Sequence, residues 1–301
     1  MAAGIVLSFI VSLLVWSSES DLYQQAVQAF QRGRFDEVVD LLSRLPTAEL
    51  DRPASQNLKA LALCELHRFD EALAASVRAV EADPSNLNYI YNLGLIYIAK
   101  KDFRGAEKLF RDSLSRIPTS SKLYEGLGQS LFTLYEFPEA EKAFRKALEI
   151  EPSNASAHVA LAKLYYATGN KEKFASAASR ALELGRDNYQ ACYYYGLWLS
   201  EYAGDQLSAA KYFQKSVELY PGFAGALSAL GKILTAQREW ARAVELYERA
   251  FRVDPQNRQL YFQASAAYRK LGQIEKAEWA MKRFKALEAE SISPSQKPQA
   301  P

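Results

Sequence analysis

The stretch Ser121–Pro152, SKLYEGLGQSLFTLYEFPEAEKAFRKALEIEP, decides the fold. Tyr124, Leu127, Gly128 and Leu131 recur at spacings of three and four, the stripe of one amphipathic helix. Phe137, Ala140, Phe144 and Ala147 make a second stripe, and Pro152 stops the chain. Gly128 and Ala140 are small residues on facing stripes. They let the two helix axes approach toward the short end of the usual range of about 8–10 Å. Asn154, just beyond the proline, is suited to cap the next helix, because its side chain can accept from free amides. The proline before it removes a backbone donor and disfavours helix in the residue it follows.

Outward from this stretch the same pattern returns. Upstream, Ile90, Leu93, Gly94 and Tyr97 precede a polar turn at Lys100–Asp102, followed by Phe103, Ala106, Phe110, Ser113 and Pro118. Downstream, Leu227, Leu230, Gly231 and Leu234 precede Trp240, Ala243, Tyr247, Ala250 and Pro255. Pro84, Pro118 and Pro152 are 34 residues apart, as are Pro221 and Pro255, and Pro152 to Pro221 is two periods plus one residue. A unit this small buries too little to fold alone, so neighbouring units must share a continuous core.

A large residue, Leu-Gly, an aromatic or leucine, then Ala, Phe or Tyr, Ala or Ser, and Pro over 34 residues resembles the tetratricopeptide repeat. The resemblance runs from Glu19 to Ser291 in eight units, starting at Glu19, Pro53, Leu87, Ser121, Ala155, Tyr189, Ala224 and Arg258. It implies an all-α fold, a right-handed superhelical solenoid of helix-turn-helix units. Asn86, Ser120, Asn154, Asn188 and Asn257 stand where first helices begin and are expected to cap them. Three units depart from the pattern. The fifth exchanges sizes, with Phe174 for alanine and Ala178 for the large residue, and ends in Arg186 instead of proline. The sixth has one extra residue, expected in its internal turn near Ala203–Gln206. The first places Val38 where alanine is usual, as a capping repeat can.

In this family the first helices line the concave face, where partners bind as extended peptides or as helices. The residues opposite the second helices are then the candidate partner-binding groove: Tyr91, Leu95 and Ile98, Gln129 and Phe132, Lys163 and Tyr166, Tyr193 and Leu197. Glu125, Val159, Ser200, Ser228, Lys232 and Thr235 share those positions. Large residues there also have a purely structural reading, packing on neighbouring first helices. The family's clamp for a C-terminal carboxylate is matched only by Asn92 and Lys122, since Asn57, Leu61 and Gly126 stand where Lys, Asn and Arg are needed.

No catalytic chemistry is legible. The sequence lacks a phosphate-binding glycine loop, HExxH and GxSxG. The two cysteines, Cys64 and Cys192, and two histidines, His67 and His158, are too scattered for a disulfide framework or metal site, so no cofactor and no metal is expected. Asp36, Glu37, Asp70 and Glu71 read as helix N-terminal charges. Asn154-Ala155-Ser156 matches a glycosylation acceptor, but the asparagine is expected as a cap in any case. A net charge of +2, from 37 basic and 35 acidic residues, gives no reason to expect nucleic acid as a partner.

The N-terminus differs in kind. Ile5–Trp16 is apolar apart from Ser8 and Ser12, too short for a span of about 20 residues but fit for the core of a signal peptide. Ser17, Ser18 and Ser20 follow, and cleavage after Ser20 or after Ser17 is expected. No Lys or Arg precedes the run, which leaves open an uncleaved short anchor or a start further upstream. Residues 1–20 are thus a signal peptide or membrane tether, 21–291 the solenoid and 292–301 a disordered tail rich in Pro, Ser and Gln. The expected place is secreted, periplasmic or envelope, with membrane contact only through an uncleaved N-terminus. The leading expectation is an exported scaffold that binds a protein or peptide partner. The rivals are a structural subunit of an envelope, secretion or export assembly and, remotely, an unrecognised enzyme.

Overall fold

The computed structural model describes residues 21–292. The leader expected over residues 1–20, and the tail beyond residue 292, lie outside the described residues. Among the described residues every element is helical. They form two compact units, divided between Leu164 and Tyr165.

The N-terminal unit contains α1 (Asp21–Gln31), α2 (Phe35–Ser43), a single turn α3 (Thr47–Leu50), α4 (Pro53–Glu65), α5 (Phe69–Ala82), α6 (Leu87–Ala99), α7 (Phe103–Arg116), α8 (Ser121–Thr133) and α9 (Phe137–Ile150). The division falls inside α10 (Ala155–Ala167). The C-terminal unit continues with α11 (Lys171–Leu184), α12 (Tyr189–Trp198), α13 (Gln206–Leu219), α14 (Ala224–Ala236), α15 (Trp240–Val253), α16 (Arg258–Lys270) and α17 (Ile274–Ile292). Each unit is a run of helix pairs: α4, α6 and α8 pack on α5, α7 and α9 and on α2, α5 and α7 before them, and α12, α14 and α16 pack on α13, α15 and α17 and on α11, α13 and α15 before them. This is the expected all-α repeat fold.

The close approach inferred from glycine is visible at Phe110. This α7 ring is fully buried and lies between two first helices. A Cβ placed on Gly94 of α6 would stand 2.1 Å from its Cζ, and one on Gly126 of α8 would stand 2.4 Å away. Phe144 of α9 covers Gly128 in the same way, at 2.5 Å. Ala106 and Ala140 are fully buried and let the pairs close. In the C-terminal unit Phe213 lies over Gly196 and Tyr247 over Gly231. The size exchange in the fifth repeat is accommodated by aromatic neighbours. Phe174 is fully buried, with the rings of Tyr166 at 5.4 Å and Tyr202 at 5.8 Å.

Helix starts are specified by side chains. Asn86, Ser120, Asn154 and Asn188 each accept from amides of the first turn they precede. Asn257 makes no such bond, and α16 begins without a side-chain cap. Every turn inside a pair pivots on one left-handed residue: Gly33, His67, Lys101, Tyr135, Gly169, Gly204, Arg238 and Gly272. The extra residue of the sixth repeat is taken up before its pivot, not in the turn itself. The chain past α12 widens into a π-helical turn at Leu199–Ala203 before Gly204. Inserting a residue into a helix widens one turn while preserving the hydrogen-bonded ladder.

Two tests of this packing follow. Gly94→Ala is expected to lower stability by about 1–3 kcal/mol, because the Phe110 ring is held from both sides and cannot retreat. Phe110→Leu in the same chain should recover part of that loss in urea unfolding, a coupling that Gly169→Ala, strained by its backbone angle alone, should not show with Phe110→Leu. Ser113 occupies the place of Ala147 and Ala250, and its buried hydroxyl has no hydrogen-bond partner. Ser113→Ala is therefore expected to raise stability by about 1 kcal/mol, whereas Ser216→Ala, which removes a 2.8 Å bond to the Tyr189 carbonyl, should lower it.

Candidate functional site

Ile90, Leu93 and Gly94 of α6 are buried. Tyr91, Leu95 and Ile98 lie on the neighbouring stripe of the same helix and are half-buried. That stripe meets the next first helix through side chains about one repeat apart. Asn92 Nδ2 donates to Asn57 Oδ1 at 3.0 Å, joining α6 to α4. Lys122 Nζ donates to Asn88 Oδ1 at 2.7 Å and stands 4.8 Å from the centre of the Tyr91 ring, joining α8 to α6. Asn154 Nδ2, at the start of α10, donates to Ser121 Oγ at 3.0 Å and to Glu125 at 3.4 Å. The first helices therefore carry a polar ladder that runs from α4 to the start of α10.

Glu125 is the electrostatic centre of this ladder. Burial raises its carboxyl above the ordinary value, and the Asn154 amide, Lys122 charge and Tyr91 hydroxyl beside it only partly offset that effect. Burial also raises the Tyr91 hydroxyl, and the Glu125 charge adds to the effect. Burial lowers the Lys122 ammonium, against the pull of Glu125. These groups compensate one another. The Asn154 amide is committed to this network, which leaves its glycosylation motif without a free side chain.

Further along, Phe132 packs on Phe137 with ring centres 5.6 Å apart. Lys163 Nζ lies 4.6 Å from the centre of the Phe132 ring, and burial lowers its ammonium below the ordinary value. Gln129 is half-buried one turn before Phe132, and Val159 is buried. The N-terminal unit thus brings together Tyr91, Leu95, Ile98, Gln129, Phe132 and Lys163 on successive first helices.

The remaining candidates belong to the C-terminal unit. Tyr166 donates to Glu201 Oε1 at 3.0 Å, and Glu201 is delivered by the π-helical turn. Tyr193 is packed among Tyr194, Phe213 and Phe223, and burial pushes its hydroxyl up to about 12. Leu197 is only 6% exposed and offers almost no surface. Ser200 bonds Gln206, Ser228 bonds Gln263, Thr235 donates to the Gly231 carbonyl, and Lys232 is exposed.

Sequence reasoning missed Asn88 and Glu201 as members of this face. Asn88 stands 34 residues before Lys122, and Glu201 stands 35 after Tyr166. Pairing polar residues one period apart would have found both. The two residues that matched the carboxylate clamp are committed elsewhere, Asn92 to Asn57 and Lys122 to Asn88. Among the described residues no group of three or more His, Cys, Asp and Glu could hold a metal ion. Both cysteines are buried, and burial pushes the Cys64 thiol up to about 11, away from the reactive thiolate.

Tetratricopeptide-repeat families match residues 57–121, 131–193 and 226–259, more than half of the chain. The chain belongs to the tetratricopeptide-repeat family. It is 26% identical over 251 residues to the protein CTR9 homolog of Arabidopsis thaliana, covering 80% of this chain and 23% of that protein. The TPR chain thus spans less than a quarter of that curated relative. Its fold is similar to a chain in the crystal structure of the APC/C hetero-tetramer Cut9-Hcn1, with TM-score 0.68 and 16% identity over 91% of this chain and 53% of that one. It is also similar to yeast Tom70, with TM-score 0.63 and 18% identity over 95% of this chain and 68% of that one. A scaffold role in protein interaction is what the TPR fold supports.

The raised Glu125 carboxyl has a consequence for stability. A carboxyl raised in the folded state contributes stability that is full below its unfolded value and lost as pH rises through the folded value. Glu125→Gln should therefore flatten this part of the pH dependence. Melting temperatures of the two proteins, compared between acid and neutral pH, are expected to shift in favour of the variant as pH rises.

Proposed function

We propose that this TPR chain is an exported, non-catalytic scaffold that holds a protein or peptide partner along the groove face of its first helices. The carrying observation is the first-helix stripe of Tyr91, Leu95, Ile98 and Phe132, apolar and aromatic side chains that stay half-buried even though Tyr91 rests near Phe110 of α7 and Phe132 on Phe137 of α9. Aromatic side chains of this kind are favoured anchors, since they bring large area with few torsions to freeze. Burying one anchor contributes about 1.5–3 kcal/mol. Several must act together to exceed the cost of ordering a partner. Shape and apolar burial supply affinity in this reading, and the polar ladder beside them sets register.

Export rests on Ile5–Trp16 and the serines after it, with the periplasm, envelope or extracellular space as the destination. Among the described residues no helix is long and apolar enough to cross a membrane. The membrane tether in this reading is the N-terminal run.

A second reading, a structural subunit of an envelope, secretion or export assembly, is favoured by a different surface. A cleft of about 330 Å³ is lined by Tyr124, Leu127 and Leu131 of α8, by Glu139, Lys142, Ala143 and Lys146 of α9 and by Arg111 of α7.

Two measurements separate these readings. A photo-crosslinking residue at Leu95 or Phe132 is expected to capture the partner in the native host, while one at Lys142 is not. The reverse pattern would favour the assembly subunit and overturn the groove. The intact mass from the host's exported soluble fraction is expected to correspond to a start at Asp21 or Ser18. Full-length protein in the cytoplasm would overturn export.

A further inference from the structure

The charges on the groove face of the N-terminal unit do not balance locally. Lys122 and Glu125 lie one helical turn apart on α8 and compensate each other, with Asn88, Tyr91 and Asn154 satisfying their remaining polar atoms. Lys163 has no such company. Its ammonium sits over the Phe132 ring, and among the described residues no carboxylate pairs with it. An aromatic face attracts a cation by roughly 0.5–2 kcal/mol, which stops short of neutralising a charge withdrawn from water.

The same face carries its apolar side chains at a fixed offset from this cation. Leu95 and Lys163 hold the same position in α6 and α10, two first helices apart, with Gln129 at that position of α8 and Phe132 one turn further on. First helices packed at about 8–10 Å place the two ends of this row roughly 16–20 Å apart. An extended chain covers that span in about five or six residues.

We propose that the occupant of this face is an extended peptide segment with an apolar side chain at one end and, about five residues away, a carboxylate that pairs with Lys163. The inference rests on the groove reading above and specifies the chemistry of its partner. The carboxylate supplies the missing counter-charge in a partly dry place, where an ion pair is screened less than at an open surface. It completes a contact whose cation is already held in position. The apolar end packs on Leu95 and Ile98 of α6, which are half-buried.

The test uses the full chain as bait for a displayed library of randomised hexapeptides. The wild-type protein is expected to enrich peptides with Asp or Glu at one end and an apolar residue at the other. Lys163→Met keeps the apolar stem and removes the charge. It should weaken selected peptides at least about tenfold, the effect of losing one charge-assisted hydrogen bond. Lys163→Glu should redirect selection to Lys or Arg at the same position. Circular dichroism and melting confirm that each variant remains folded. Enriched peptides without any carboxylate preference, weakened by Phe132→Ala but not by Lys163→Met, would overturn the proposal and leave the groove in place. Peptides indifferent to both substitutions, or no enrichment at all, would overturn the groove reading and this inference with it.

Discussion

The structure depends on one repeated contact, an aromatic ring on a second helix pressed against a backbone with no Cβ. Phe110 shows it most fully, filling the space over Gly94 of its own pair and Gly126 of the next. A single ring therefore sets the spacing within a pair and between pairs. Fully buried Ala106 and Ala140 complete the approach on the second-helix side. The contact within a pair recurs where Phe144 meets Gly128, Phe213 meets Gly196 and Tyr247 meets Gly231. Stability in such a chain is a sum of nearest-neighbour terms.

That arrangement leaves the opposite stripe of every first helix to be satisfied by other means. In the N-terminal unit it is satisfied by Asn57 with Asn92, Asn88 with Lys122, and Glu125 with Asn154. These bonds keep adjacent first helices in register, and one of their members, Lys122, also lies over the Tyr91 ring. The same residues that hold the scaffold thus frame its candidate interaction surface. Positions of this kind serve stability and recognition together, and Tyr91, close to both Phe110 and Glu125, is an instance.

The fold was legible because its determinants are local and periodic. Gly128 with Phe144, or Gly231 with Tyr247, can be read from a spacing of sixteen residues and a difference in size. The caps were nearly as legible, since an asparagine or serine after a proline acts on amides two or three residues away. Asn257 makes no cap bond although its sequence setting resembles that of Asn86. The extra residue of the sixth repeat was visible as a count. Its conversion into a π-helical turn at Leu199–Ala203 was not, because the choice between lengthening a turn and widening a helix depends on what packs around it.

By itself the sequence determined the class of the chain: a period of 34 residues, two amphipathic stripes per period and small residues where the helices cross. Only the tertiary structure decided which groove positions offer surface. Leu197 and Leu95 hold equivalent places in their repeats, yet one is buried and the other half-open. Tertiary structure also decided that Lys122 is compensated while Lys163 is not. The physical reason is that burial and charge balance depend on residues brought together from different periods, whereas helix and stripe depend on neighbours within one.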